Sequence, residues 1–207
     1  MKMGDFLQFL SLDEELCSKA AECGRRSFII MAGIMDGYSV ESTLLSYEGP
    51  FGVGYAVAEF TTNNIDESRK LLPIYEKKII EQALMKKNNE DVYVQLARQS
   101  LEYYVTHHQA LKLPQNLPEA LINQKAGVFV SLKIAGELRG CIGTTGPTTL
   151  NIASEIIQNA ISAGTKDPRF TPVRANELNK ISYSVDVLGK VEPVDSLDDL
   201  DPIRYGV

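Results

Sequence analysis

Leu138-Arg139-Gly140-Cys141-Ile142-Gly143 is the stretch of sequence that decides how the second half of this chain folds. The residues before it, 127–134, alternate between apolar and other side chains, as a half-buried strand does. Ala135-Gly136-Glu137 then turns the chain into a second strand, so the sequence predicts a β-hairpin. Helical periodicity on either side, over residues 94–105 and 149–163, adds two helices. The sequence therefore predicts an α+β fold.

A thiol and a guanidinium lie close together in this hairpin. Side chains alternate along a strand, so Arg139 and Cys141 share one face within about 7 Å, and Leu138 shares the other face with Gly140. A neighbouring guanidinium favours the thiolate. Gly140 and Gly143 leave room for a ligand or for another backbone. Two interpretations stay open: a catalytic Cys141 and Arg139 with a substrate against the two glycines, or a small cysteine packed in a core strand.

Asp167-Pro168-Arg169-Phe170 is the second candidate for a site. Pro168 fixes its own φ and holds the preceding residue extended, so the loop is rigid and projects Arg169. In one interpretation Asp167 and Arg169 contact a substrate, and Arg169 completes a site with Arg139. In the other, Asp167 and Arg169 form a local turn with a salt bridge, and Phe170 fills the core.

The first ninety residues have a different organisation. A helix is predicted from Arg25 to Gly33, and strands from Thr43 to Tyr47 and from Tyr55 to Phe60, joined by a glycine-rich loop. Residues 61–90 turn polar and lysine-rich, which is typical of a linker that is partly helical. We therefore expect the end of one domain over 1–60, a linker over 61–90 and a second domain over 91–207.

Composition restricts the classes of function. The net charge is −6 and the sequence pI is about 5.1, which disfavours a nucleic-acid surface. The longest apolar run, Ser27–Gly33, is too short for a membrane span, and the first residues show no signal peptide. Three cysteines without a CxxC spacing do not form a disulfide framework. A cytoplasmic location is the expectation.

The second half of the chain resembles a known family. The matching blocks, in order, are Gly127–Leu132, Leu138–Gly143, Asp167–Phe170 and Ile181–Val185. Together they look like the AMMECR-type domain, protein A of the AmmeMemoRadiSam system. The resemblance implies an α/β sandwich with a mixed sheet and flanking helices, and a radical SAM protein as a partner. The family's activity is unsettled, and its sequence continues beyond residue 207, so we expect a C-terminally truncated domain.

The first sixty residues resemble another group. The blocks are Glu22–Ser27, Met31–Gly33 and Ser46–Tyr55, which look like the C-terminal end of a class III extradiol dioxygenase of the LigB type, or of a Memo-like domain. The resemblance implies Cys23, or else Glu22, as one metal ligand, with Fe²⁺ or Zn²⁺ bound in a longer protein. No histidine precedes Cys23, so a two-histidine facial triad cannot form within this chain. We expect no cofactor in these 207 residues.

Three functions remain open at this point. The first is an enzyme whose Cys141 thiolate acts on a small anionic or nucleotide-like substrate. The second is a module that binds an anionic ligand or partner through Arg139 and Arg169, with Cys141 only packed. In the third, the longer protein is a metal-dependent oxygenase and this domain is its accessory.

Overall fold

The structure is a computed structural model that describes residues 6–12, 14–21, 24–190 and 192 of the chain. The chain divides into two compact units, Met1–Leu84 and Met85–Val207. Within the described residues, no helix combines the length and the apolar character needed to cross a lipid bilayer.

Short helices and one long β-hairpin form the first unit. Its helices are α1 (Phe6–Leu10), α2 (Glu14–Lys19) and α3 (Arg25–Ile34). Strands β1 (Tyr38–Glu48) and β2 (Tyr55–Ile65) follow and pair antiparallel. A 3₁₀ turn (Glu67–Arg69) leads into α4 (Leu71–Lys87). Both predicted strands are present, and each is longer than the sequence indicates.

Residues 61–65 were predicted to begin a linker, but in the structure they extend β2. Thr61 pairs with Glu41, Thr62 with Val40, and Ile65 with Tyr38. The polar composition of this segment reflects an exposed hairpin rather than an unpaired chain. Threonine and isoleucine favour extended backbone, and pairing satisfies the backbone groups of these residues. The later part of the predicted linker is α4, in line with its expected helical content.

A three-stranded sheet and its helices form the second unit. Strand β3 (Val128–Ile134) lies between β4 (Glu137–Gly143) and β5 (Ile181–Val187). The helices are α5 (Val92–His107), α6 (Glu119–Asn123) and α7 (Ile152–Thr165), and a 3₁₀ segment (Ala175–Lys180) precedes β5. The predicted α+β class is confirmed. The resemblance implies a mixed sheet, whereas the described strands of this sheet all pair antiparallel.

The core of the second unit lies on one face of this sheet. Val128, Val130 and Leu132 alternate along β3 and are fully buried. Helices α5 and α7 pack over them with Leu101 and Ile156, which are also fully buried. Burying one such side chain contributes about 1.5–3 kcal/mol, so this layer is the main source of stability.

Gly140 determines how closely α7 approaches β4. A methyl group placed on Gly140 would lie 2.2 Å from the carbonyl oxygen of Ala163. Gly164, which lies inside α7, faces the side chain of Leu101 on α5, where a methyl group would lie 2.4 Å from Cδ1. At Gly140 the obstacle is backbone, which cannot give way as a side chain can.

We expect Gly140→Ala to lower the free energy of unfolding by about 1–3 kcal/mol, because the added methyl group must push α7 away from the sheet. Urea denaturation measures the change. Gly146→Ala is the matched control, since a methyl group there meets no atom within 4 Å and should leave the midpoint nearly unchanged. Equal midpoints for the two variants would contradict the close packing.

Candidate functional site

A β-bulge at Arg139 interrupts the alternation of β4. Gly140 pairs with Leu132, and Leu138 pairs with Lys133, so Arg139 is an additional residue between the two pairs. Residues paired across an antiparallel sheet share a face, and Leu132 is buried whereas Lys133 is exposed. The prediction that Leu138 and Gly140 share a face is therefore wrong. The bulge re-aims the side chains around Arg139, as bulges near sites commonly do.

The guanidinium of Arg139 binds Glu177. Its Nε donates to Oε1 at 2.8 Å and its Nη2 donates to Oε2 at 3.1 Å. Burial opposes ionisation of Glu177, but these bonds and one from the backbone N–H of Arg174 outweigh it and hold the pKa of Glu177 below its usual value. Arg139 thus binds the carboxylate of Glu177, whereas the sequence predicts that it lies beside the thiol of Cys141. Nothing local in the sequence indicates this partner, 38 residues away.

The carboxylate of Asp167 closes the outer edge of β4. Its Oδ2 accepts the backbone N–H of Cys141 at 2.9 Å. Arg169 Nη2 donates to the carbonyl oxygen of Cys141 at 3.3 Å, so both backbone polar groups of this residue are engaged from the open side. Strand β4 is at the edge of the sheet, where such groups otherwise lack a partner.

Asp167 and Arg169 also bind each other. Arg169 donates to the Asp167 carboxylate from its backbone N at 3.1 Å, from Nε at 2.9 Å and from Nη2 at 2.7 Å. These bonds hold the pKa of Asp167 far below its usual value, although burial opposes them. The salt bridge of one sequence interpretation is therefore present. Asp167 is buried, while the Arg169 side chain is 56% exposed and reaches the surface.

The ring of Phe170 lies near both arginines and not in the core. Its ring centroid is 5.9 Å from the Cζ of Arg139 and 5.6 Å from the Cζ of Arg169. An open cleft of about 440 Å³ lies beside it. We call it the Phe170 cleft, and it is lined by Arg139, Phe170, Thr171, Arg174, Asn176 and Glu177. Both arginines that the sequence singles out thus lie at one aromatic ring.

The thiol of Cys141 lies on the sheet face opposite the core. It is half-buried and its Sγ accepts a hydrogen bond from Ser131 Oγ, 3.3 Å away on β3. The two predicted substrate-contacting glycines are closed by protein atoms. Gly140 faces α7, and a methyl group on Gly143 would lie 2.2 Å from the ring of Phe129. Protein atoms thus occupy the space beside both glycines, and a contact of either glycine with a substrate stays a prediction.

A buried carboxylate fixes the loop after β4, and the sequence did not suggest it. Glu155, on the first turn of α7, is fully buried and accepts five hydrogen bonds of 2.7–2.9 Å. Their donors are the hydroxyl groups of Thr144, Thr148 and Thr149 and the backbone N–H groups of the last two. Burial alone would raise the pKa of Glu155, but the five bonds together lower it to about 2.

The predicted metal ligands Glu22 and Cys23 lie outside the described residues. Across the part of the chain that the structure does describe, no three His, Cys, Asp or Glu side chains are grouped so as to hold a metal ion. His107 ends α5, and His108 follows it with a left-handed φ of 56°. Both histidines are exposed.

These features define a class of protein domain: a small α+β sandwich in which a Cys-containing edge strand is clamped by an Asp-Pro-Arg loop. The AMMECR1 family model matches residues 94–207, which is more than half of the chain. The chain belongs to the AMMECR1 family. The resemblance of the first sixty residues to LigB-type and Memo-like domains stays a prediction.

Similar proteins occur in Clostridium acetobutylicum, Thermotoga maritima and Pyrococcus horikoshii. A Clostridium acetobutylicum protein is 44% identical over the whole chain, and the chain spans 44% of its length. A Thermotoga maritima protein is 47% identical over 57% of the chain and 68% of its own length. An uncharacterized protein from Pyrococcus horikoshii has a crystal structure with a TM-score of 0.49 and 31% identity, covering 55% of this chain and 57% of that one.

The low pKa of Glu155 predicts a loss of stability in acid. The folded carboxyl titrates near 2 and its usual value is 4.5, so the unfolded chain takes up a proton first as the pH falls. The contribution is complete above pH 4.5 and fades towards pH 2, and it amounts to about 3 kcal/mol.

Glu155→Gln should therefore have a lower free energy of unfolding than the wild type at pH 7. This free energy should fall less than that of the wild type on going from pH 5 to pH 2. Urea denaturation at a series of pH values gives both quantities. Asp167 titrates in the same direction and leaves some slope in the variant. Glu119→Gln, which changes an exposed carboxylate, is the control and should follow the wild type. Parallel curves for Glu155→Gln and the wild type would disprove the assignment.

Proposed function

We propose that this domain binds a small anionic ligand in the Phe170 cleft. The observation that supports it is the arrangement of Arg139 and Arg169, each held by a carboxylate, on the ring of Phe170. A guanidinium that is fixed in this way has already lost its rotational freedom. Binding a ligand therefore costs little further conformational entropy of the arginine side chain.

Each of these guanidinium groups keeps hydrogen-bond donors for a ligand. Arginine has five N–H donors, and Arg139 and Arg169 use only Nε and Nη2 on protein acceptors, among the contacts of the described residues. The Nη1 group of each remains. Guanidinium N–H groups match the oxygens of phosphate and carboxylate ligands.

Charge and polar groups in the cleft fit the same ligand class. Among the lining residues Arg139 is balanced by Glu177, so the exposed Arg174 supplies an additional positive charge, while Arg169 lies beside the cleft and is balanced by Asp167. Thr171 adds a hydroxyl group and Asn176 an amide, both exposed on the wall of the cleft. The cleft is thus locally basic in a chain whose net charge is −6.

Cys141 serves this site through its backbone. Its backbone N–H and C=O groups anchor Asp167 and Arg169, while its thiol is bound to Ser131 on the sheet face. This geometry supports a binding module over an enzyme with a thiolate beside Arg139.

Isothermal titration calorimetry with inorganic phosphate and with pyrophosphate tests the proposal by measuring the dissociation constant of each anion. We expect binding that Arg174→Ala weakens by about 10-fold or more, since a hydrogen bond to a charged group contributes about 1.5–3 kcal/mol. Lys133→Ala removes an equal charge from an exposed position on β3, outside the cleft, and should bind as the wild type does. Cys141→Ser should also bind as the wild type does.

Three results would count against a binding module at this cleft. The first is an affinity for both anions that Arg174→Ala leaves unchanged, and the second is no binding at millimolar concentrations. The third is a covalent adduct on Cys141 detected by mass spectrometry, together with loss of anion binding in Cys141→Ser. The third result would support the cysteine-dependent enzyme.

A further inference from the structure

The β1–β2 hairpin has one apolar face. Leu44 pairs with Ala58, and Tyr47 pairs with Ala56. A bulge at Leu45 shifts the register, so that Leu44 and Tyr47 share a face although they are three residues apart. We call this surface the apolar hairpin face, and its residues are Ser42, Leu44, Tyr47, Ala56, Ala58 and Phe60.

The opposite face of the hairpin is largely polar. It carries three carboxylates, those of Glu41, Glu48 and Glu59, although Tyr55 and Val57 also lie there. A sheet with one apolar and one charged face packs the first on a core and exposes the second to water. The pattern therefore indicates that the apolar hairpin face is built to be covered.

Only one end of the apolar hairpin face is covered within the described residues. Phe6 of α1 is 1% exposed and packs against Phe60, with ring centroids 5.8 Å apart. Towards the turn, Leu44 is 39% exposed and Tyr47 is 69% exposed. A two-stranded hairpin is marginally stable by itself, and each strand here has 11 residues.

We infer that a further segment of a longer polypeptide, outside residues 1–207, packs on the apolar hairpin face. The Clostridium acetobutylicum relative matches this chain from end to end, and the chain spans 44% of its length. More than half of that protein is therefore available to cover the hairpin. A covering segment in the same polypeptide is present at a high effective concentration, unlike a second copy.

The chemistry of the covering segment follows from the face and its edges. It presents apolar side chains to Leu44, Tyr47 and the two alanines. Strands β1 and β2 pair only with each other in the described part of the chain, so each has an outer edge that an added strand can extend. Because a strand added at an edge lies in the plane of the sheet, it cannot also cover the face, so the covering segment packs as a separate layer with its apolar side chains towards Leu44 and Tyr47.

Hydrogen exchange on two proteins tests the inference, with sedimentation as a second measurement. In the 207-residue chain we expect a monomer whose amides between Thr43 and Val57 exchange rapidly. In the full-length Clostridium acetobutylicum protein, the matching amides should exchange at least about 100-fold more slowly, because local opening must then uncover packed surface. In the 207-residue chain, Leu44→Gln should change the Tm no more than the control Thr43→Gln on the polar face, which adds no charge opposite Glu59.

Three outcomes would overturn the inference. Slow exchange of these amides in a monomeric 207-residue chain would mean that the chain covers the face itself. A dimer that Leu44→Gln dissociates and Thr43→Gln does not would identify a second copy as the occupant. Rapid exchange of the matching amides in the longer protein would show that no segment of that polypeptide covers the hairpin. None of these outcomes depends on anion binding at the Phe170 cleft.

Discussion

The hydrogen bond from the backbone of Cys141 to the buried carboxylate of Asp167 is the interaction on which the rest of the site depends. An edge strand must satisfy its outward N–H and C=O groups, and burial makes an unsatisfied group costly. Asp167 accepts the N–H of Cys141 and positions Arg169 to donate to its C=O. Because Arg169 and Phe170 follow directly in the chain, the same carboxylate places the ring beside which Arg139 lies. Loss of Asp167 would leave the N–H of Cys141 without its acceptor and Arg169 without its carboxylate partner.

The elements predicted from the sequence are those with local periodicity. Alternation along 127–134 and the turn at Ala135-Gly136 were enough to predict the hairpin, and the apolar spacing of α7 was enough to predict that helix. The bulge at Arg139 was not predictable, because it arises from pairing with β3 and leaves no mark in β4 itself. The same holds for residues 61–65. Their polar composition does not indicate a strand, and they are extended because they pair with β1.

The candidate site was predictable in part. Contacts between residues close in the sequence could be predicted, and contacts between distant residues could not. The Asp167–Arg169 salt bridge joins residues two apart, so the sequence could suggest it. The partner of Arg139 is separated from it by 38 residues and lies in a short 3₁₀ segment. Glu155 gave no signal because a lone glutamate at the start of a helix is usually solvated. Only the fold shows that three threonine hydroxyl groups surround it.

The pairing of each arginine with a carboxylate has a consequence for how a ligand would arrive. An ion pair has a dipolar field, which weakens with distance faster than the field of a single charge, and salt screens exposed charges beyond about 10 Å. An approaching anion would therefore meet the repulsion of an acidic protein first and the guanidinium donors only at contact. Arg174 alone adds a net charge to the cleft. Encounter would be slow and weakly steered, and discrimination between ligands would reside in the lifetime of the complex.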